Sequence, residues 1–126
     1  MVKKDIKFEF IKSEPDSKPG YFQDKRYNEY VEIVKDLKRA NEYEKAEKLL
    51  LILVKAAEAE SKVNECDPAP WFYEQLAIIY RKQELYDKEI VILEQYIGNK
   101  WLKNEPTEFI ERLNKVKELK FKKQMG

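Results

Sequence analysis

From about Asp24 onward, apolar residues return every three to four positions, the period of a helix with one buried face. Tyr27, Tyr30, Val31, Val34 and Leu37 make a first stripe that ends near Ala40 and Asn41. A second begins with Tyr43, Ala46, Leu50, Leu53 and Ala57 and is expected to run to about Asn64. Within it, Leu49 to Val54 is apolar on every side, which a helix tolerates only when neighbours cover much of it. Cys66-Asp67-Pro68-Ala69-Pro70 is the sharpest boundary, with Asp67 expected as the cap and Pro68 as the first residue of a third helix. That helix carries Trp71, Phe72, Leu76, Ile79 and Tyr80; after a break at Gln83 and Glu84 a fourth carries Tyr86, Ile90, Leu93 and Ile97, with Gly98 as its stop. Pro106 suits the first turn of a fifth, built on Phe109, Leu113, Val116 and Leu119, and the basic end from Lys120 to Gly126 is expected to fray.

The first twenty residues follow another rule. Ile6, Phe8 and Phe10 alternate with Lys7 and Glu9, the two-residue period of a short strand, and Ser13 to Gly20 reads as a linker. Two accounts stay open for this arm: a flexible tail, or an extended segment packed along the helices or on a neighbouring copy. The pattern therefore predicts an all-α chain of about five helices. It divides into an N-terminal arm and linker over 1–22 and a single helical domain over 23–126.

The helices repeat. Tyr43-Glu44-Lys45-Ala46 and Tyr86-Asp87-Lys88-Glu89 each follow a break, 43 residues apart, and at that offset Leu50 matches Leu93 and Leu37 matches Tyr80. A hairpin that recurs at fixed spacing points to stacked helical pairs. The stretch Trp71 to Ile97 (WFYEQLAIIYRKQELYDKEIVILEQYI) resembles a tetratricopeptide repeat, with Leu76, Ala77, Tyr80, Tyr86 and Leu93 at that family's marker positions. Tyr27 onward resembles a degenerate copy. Two features depart from the family: the 43-residue spacing exceeds its usual length, and Glu89 occupies the place of a small residue, where it is expected to lean outward. The resemblance implies antiparallel hairpins stacked as a short tetratricopeptide-like solenoid, and a groove lined by the first helix of each pair. Carried over position by position, the groove takes Asn28, Val31, Lys35, Lys38 and Arg39 from one hairpin and Trp71, Glu74, Ile78, Arg81 and Lys82 from the other. It implies a partner protein or peptide, extended or helical. The basic members form a cluster suited to an acidic one. Lys38, Arg39, Arg81 and Lys82 also lie in last helical turns, where positive charge complements the helix dipole, and Trp71 also reads as a core anchor.

Chemistry is sparse. The chain has no histidine and one cysteine, which removes the usual nucleophile–base pairs and zinc spacings. Its three glycines are isolated, so no phosphate loop exists. No cofactor and no enzymatic activity are expected, and Cys66 reads as an ordinary interhelix thiol. Twenty-five basic against 24 acidic residues give a net charge of +1, no basis for bulk attraction to nucleic acid or membrane. Charged residues nonetheless reach 39%, matching helices with solvated faces. Met1 to Lys7 lack the apolar core of a signal peptide, and the lone cysteine fits a reducing compartment, so a cytoplasmic location is expected. The reading that follows is a protein–protein interaction scaffold or adaptor. The alternative is a nucleic-acid-associated accessory protein that uses Lys115, Lys117, Lys120, Lys122 and Lys123 around Phe121. A homodimer sealed by the arm or by Trp101 and Leu102 is compatible with either.

Overall fold

The computed structural model describes residues 6–126, so the first five residues of the expected arm lie outside the described part. The chain divides into two compact units, Met1–Asn64 and Glu65–Gly126. Five α-helices account for most of it: α1 (Val31–Arg39) and α2 (Tyr43–Asn64) in the first unit, α3 (Pro70–Lys82), α4 (Tyr86–Gly98) and α5 (Thr107–Met125) in the second.

In the first unit the helical period from Asp24 does not start a helix there. Tyr21–Phe22 (β1) and Lys25–Arg26 (β2) pair antiparallel, Tyr21 opposite Arg26 and Phe22 opposite Lys25. Gln23 and Asp24 connect them with φ of 48° and 66°. Two consecutive left-handed residues are what a two-residue hairpin turn needs to match strand twist. Tyr27 to Tyr30 then form a single 3-10 turn, and α1 follows. Phe22 is fully buried and lies 5.7 Å from the Tyr30 ring, whose hydroxyl donates to the Phe22 carbonyl at 2.7 Å. Arg26 grips the far end of α2 through both oxygens of Glu60. Gly20, at φ +86°, passes so close that a Cβ there would collide with the Glu60 carboxylate.

The arm forms no strand over 6–10. An isolated strand has no ladder to join, and the arm instead packs along α2 as the second of the two accounts expected. Phe8 is buried, edge-on to Phe10 and Tyr30. Lys45 donates to the Phe8 carbonyl at 3.1 Å, Lys48 covers the Phe10 ring at 4.4 Å, and Lys55 meets Glu14 at 3.2 Å. These three lysines fall along one side of α2, so the arm runs parallel to it. The apolar run behaves as expected except at one position: Leu49, Leu50, Ile52, Leu53 and Val54 are buried, and Leu51 faces out.

The second unit is three antiparallel helices, α3 against α4 and α4 against α5. Tyr73, Tyr96 and Phe109 bind the three together through ring contacts, Tyr96 edge-on to Tyr73 at 5.1 Å and stacked on Phe109 at 4.2 Å. Both hairpins close the same way. After α1 the N–H groups of Asn41 and Glu42 return to the carbonyls of Lys38 and Leu37; after α3 those of Glu84 and Leu85 return to Arg81 and Tyr80. Asn41 and Glu84 are left-handed, which completes a Schellman closure in each case. The shared geometry falls at the 43-residue offset read from the sequence.

Three local expectations are corrected. α3 begins at Pro70, with Ala69 as its cap, so neither Asp67 nor Pro68 has the assigned role. The helix α5 continues to Met125 and does not fray from Lys120, held in part by ion pairs of Lys120 with Asp87 and of Lys122 with Glu118. Glu89 does not lean outward; it is fully buried.

Candidate functional site

The groove residues fall into two sets. Lys35, Lys38 and Arg39 lie on α1 in the first unit, and Trp71, Ile78, Arg81 and Lys82 lie on α3 in the second. Lys35 pairs with Glu32 at 3.6 Å and Arg39 with Asp36 at 3.1 Å, while Lys38 is half-buried. Trp71 is half-buried and edge-on to Phe72 at 5.0 Å; Ile78 is half-buried and Lys82 exposed.

Arg81 is committed elsewhere. Its Nε and Nη2 reach the two oxygens of Glu89 at 3.0 and 2.7 Å, and Nη2 also donates to the Arg112 carbonyl at 3.1 Å. The Arg112 Nε sits 3.0 Å from the same carboxylate. Its N–H points off the hydrogen-bond line, so it is the one buried side-chain nitrogen or oxygen among the described residues that lacks a hydrogen-bond partner. Burial lowers the Arg112 pKa and the Glu89 charge works against that fall. The position where the tetratricopeptide pattern wants a small residue thus holds the buried carboxylate of an Arg–Glu–Arg triad that joins α3, α4 and α5. The only sequence signal was the anomaly itself, a carboxylate on a face that packs.

The C-terminal lysines are interleaved with acid. Lys115 and Lys122 meet Glu118, Lys117 meets Glu94, Lys120 meets Asp87, and Lys123 covers the Tyr86 ring. A strip so compensated offers phosphate little net charge.

Asp67 organises the feature that sequence reasoning missed. Its Oδ1 accepts from the backbone N–H groups of Trp101 and Leu102 at 2.5 and 2.9 Å, and its Oδ2 meets Lys100 Nζ at 2.6 Å. The carboxylate clamps the loop between α4 and α5 from the boundary before α3. The side chains so presented are apolar and outward: Trp101 is 46% and Leu102 64% exposed. Burial pushes the Asp67 carboxyl upward, yet Lys100 and the two N–H donors outweigh it and hold its pKa below the ordinary aspartate value. No protein-family model, curated protein or solved structure matches the chain. The site is therefore read from its own chemistry. Among the described residues no cluster of His, Cys, Asp and Glu is placed to hold a metal ion. None of the described helices is long and apolar enough to cross a membrane. Cys66, expected between helices, is exposed.

A lowered pKa sets the sign of the acid response. The clamp contributes fully at pH values above the unfolded aspartate pKa near ~4 and fades as pH falls through the lower folded value. Asp67→Ala is expected to cost about 2 kcal/mol, since the hydrogen bonds lost involve a charged acceptor. Protection of the Trp101 and Leu102 amides, measured against their unprotected exchange rates at each pH, should fall in the variant at neutral pH and in the wild type only in acid. Unchanged exchange in the variant would mean the loop is held by something other than Asp67.

Proposed function

We propose that the chain is a non-enzymatic protein-interaction scaffold or adaptor that engages its partner through Trp101 and Leu102. The observation that carries this reading is their presentation: two large apolar side chains face solvent on a backbone whose two N–H groups are held by one carboxylate, itself paired with Lys100. An aromatic anchor whose order is already imposed loses little entropy on binding, which is what interface hot spots require. A tetratricopeptide-like form for each hairpin is part of the proposal, supported by the Schellman closure they share at the 43-residue offset. Lys35, Lys38 and Arg39 on α1, and separately Lys82 on α3, remain candidates for contact with an acidic segment. Arg81 is reassigned from groove to framework, because its guanidinium is already spent on Glu89.

The test compares three forms of equal helical content: wild type, Trp101→Ser with Leu102→Ser, and Lys38→Glu with Arg39→Glu and Lys82→Glu. Each is used for affinity capture from the native cell extract, and partners are identified by mass spectrometry and rebound as purified proteins. A partner that binds wild type and the basic-residue variant at similar strength, but binds the loop variant at least about tenfold more weakly, supports the reading. Loss in the basic-residue variant alone would move the site to α1 and α3. A purified partner that ignores both changes would remove the proposal.

A further inference from the structure

A second place in the fold carries chemistry that the loop reading leaves unused. Within the second unit, the starts of α3 and α5 and the end of α4 line an open cleft of about 330 Å³. Pro70, Pro106 and the stacked Tyr96 and Phe109 supply its apolar walls. Its charged lining is Asp67, Lys100, Glu74 and Glu108. Asp67 and Lys100 neutralise each other. Glu74 and Glu108 are left over: neither takes a hydrogen bond or an ion pair from any described residue, although Glu74 contributes to the field at Arg112.

Tyr96 is the independent sign that the cleft is built to receive something. The residue is 6% exposed, yet its hydroxyl has no hydrogen-bond partner among the described residues. Nor is the oxygen sealed off, because it is not among the fully enclosed polar atoms that lack a partner. Burial raises its pKa, and the charges that next affect it, Lys100, Asp67 and Glu74, are all cleft residues. The hydroxyl therefore points to the cleft. With no partner among the described residues, this phenol is left to take its hydrogen bond from water or a ligand in the cleft.

We propose that this cleft binds an organic cation, an ammonium or guanidinium group on a short aliphatic stem. The two unpaired carboxylates accept its N–H donors, the Tyr96 oxygen accepts another, and the prolines and Phe109 cover the stem. An anion is disfavoured, since the lining carries three carboxylates against one lysine. A bare metal ion is disfavoured because no three carboxylate, His or Cys groups among the described residues lie close enough to share one. An organic cation spreads its N–H donors over a wider span. The cation comes either from a small free amine or from a lysine or arginine side chain of a protein. The inference stands apart from the Trp101–Leu102 reading, because a small cation can be titrated with no partner present.

The experiment titrates the full chain with agmatine, with the peptide acetyl-Ala-Arg-Ala-amide, and with butanol and butyl sulfate as neutral and anionic controls. Amide shifts across residues 67–74 and 96–109 report binding. Saturable shifts with agmatine, the peptide or both are expected, with none from the controls. Agmatine alone would identify a free amine, and the peptide alone a protein side chain. Combining Glu74→Gln with Glu108→Gln should weaken binding by at least about tenfold, and Tyr96→Phe by about three- to tenfold. Because the hydroxyl has no partner, Tyr96→Phe should leave the thermal midpoint unchanged, which separates lost binding from lost folding. No saturable shift with either cation, equal binding by the carboxylate variant, or binding of butyl sulfate would overturn the proposal.

Discussion

Glu89→Ala is expected to destabilise the second unit by about 3 kcal/mol, among the largest losses a single substitution can cause in this chain. The reason is the company that Glu89 keeps. Its carboxylate is fully buried, while the side chains of Arg81 and Arg112 are 26% and 27% exposed. Alanine leaves two guanidinium groups facing each other across a cavity with no anion between them. Partial exposure lets water relieve some of that repulsion, which places the value at the lower end of the range for broken buried pairs. Urea unfolding followed by circular dichroism gives the magnitude, and amide exchange over residues 70–120 assigns it to the second unit. A loss below about 1 kcal/mol would mean that both arginines swing into solvent and the triad is decoration. Replacing all three members together by leucine or methionine should instead be near neutral or stabilising, because the cost of burying charge disappears with the charge.

Phe22→Ala is expected to cost the first unit about 3–4 kcal/mol, the usual range for removing a fully buried aromatic ring. The effect should spread beyond the hairpin. Phe22 lies against Tyr30, and Tyr30 against Phe8, so one cavity undermines the seat on which the arm rests. Exchange at Ile11 and Lys12, whose N–H groups are held by the Gln23 side chain, should rise with the loss of stability. If unfolding shifts as expected but those two amides keep their protection, the arm is anchored by its lysine contacts with α2 alone.

Much of this fold was legible as periodicity. Five helices, the long α2 and the positions of both hairpin turns follow from apolar spacing and from the breaks at Asn41 and Glu84. The hairpin at Tyr21–Arg26 was hidden because Gln23 and Asp24 are not the asparagine–glycine pair that usually announces such a turn. What fixes it is tertiary: the Asp16 carboxylate accepts from the N–H groups of both turn residues. Glu89 was misread for a related reason. Periodicity ranks a residue by its own polarity, and it cannot see that two arginines, one of them 23 positions downstream, supply the counter-charge. Asp67 looked like a cap because its neighbours are prolines, while its true partners are more than thirty residues away. The site was therefore less legible than the frame, since each of its determining contacts joins segments distant in sequence.

The reversals after α1 and α3 have a consequence for how each hairpin acquires its shape. Asn41 and Glu84 occupy left-handed backbone at φ of 58° and 56°, and neither is glycine. An L-residue with a side chain visits that region at a cost of roughly 1–2 kcal/mol. These bends are consequently not places where an unfolded chain would turn of its own accord. Each is imposed by the helices on either side once they have met. Assembly should run from helix contact to turn closure, with the connections the last part of each hairpin to settle.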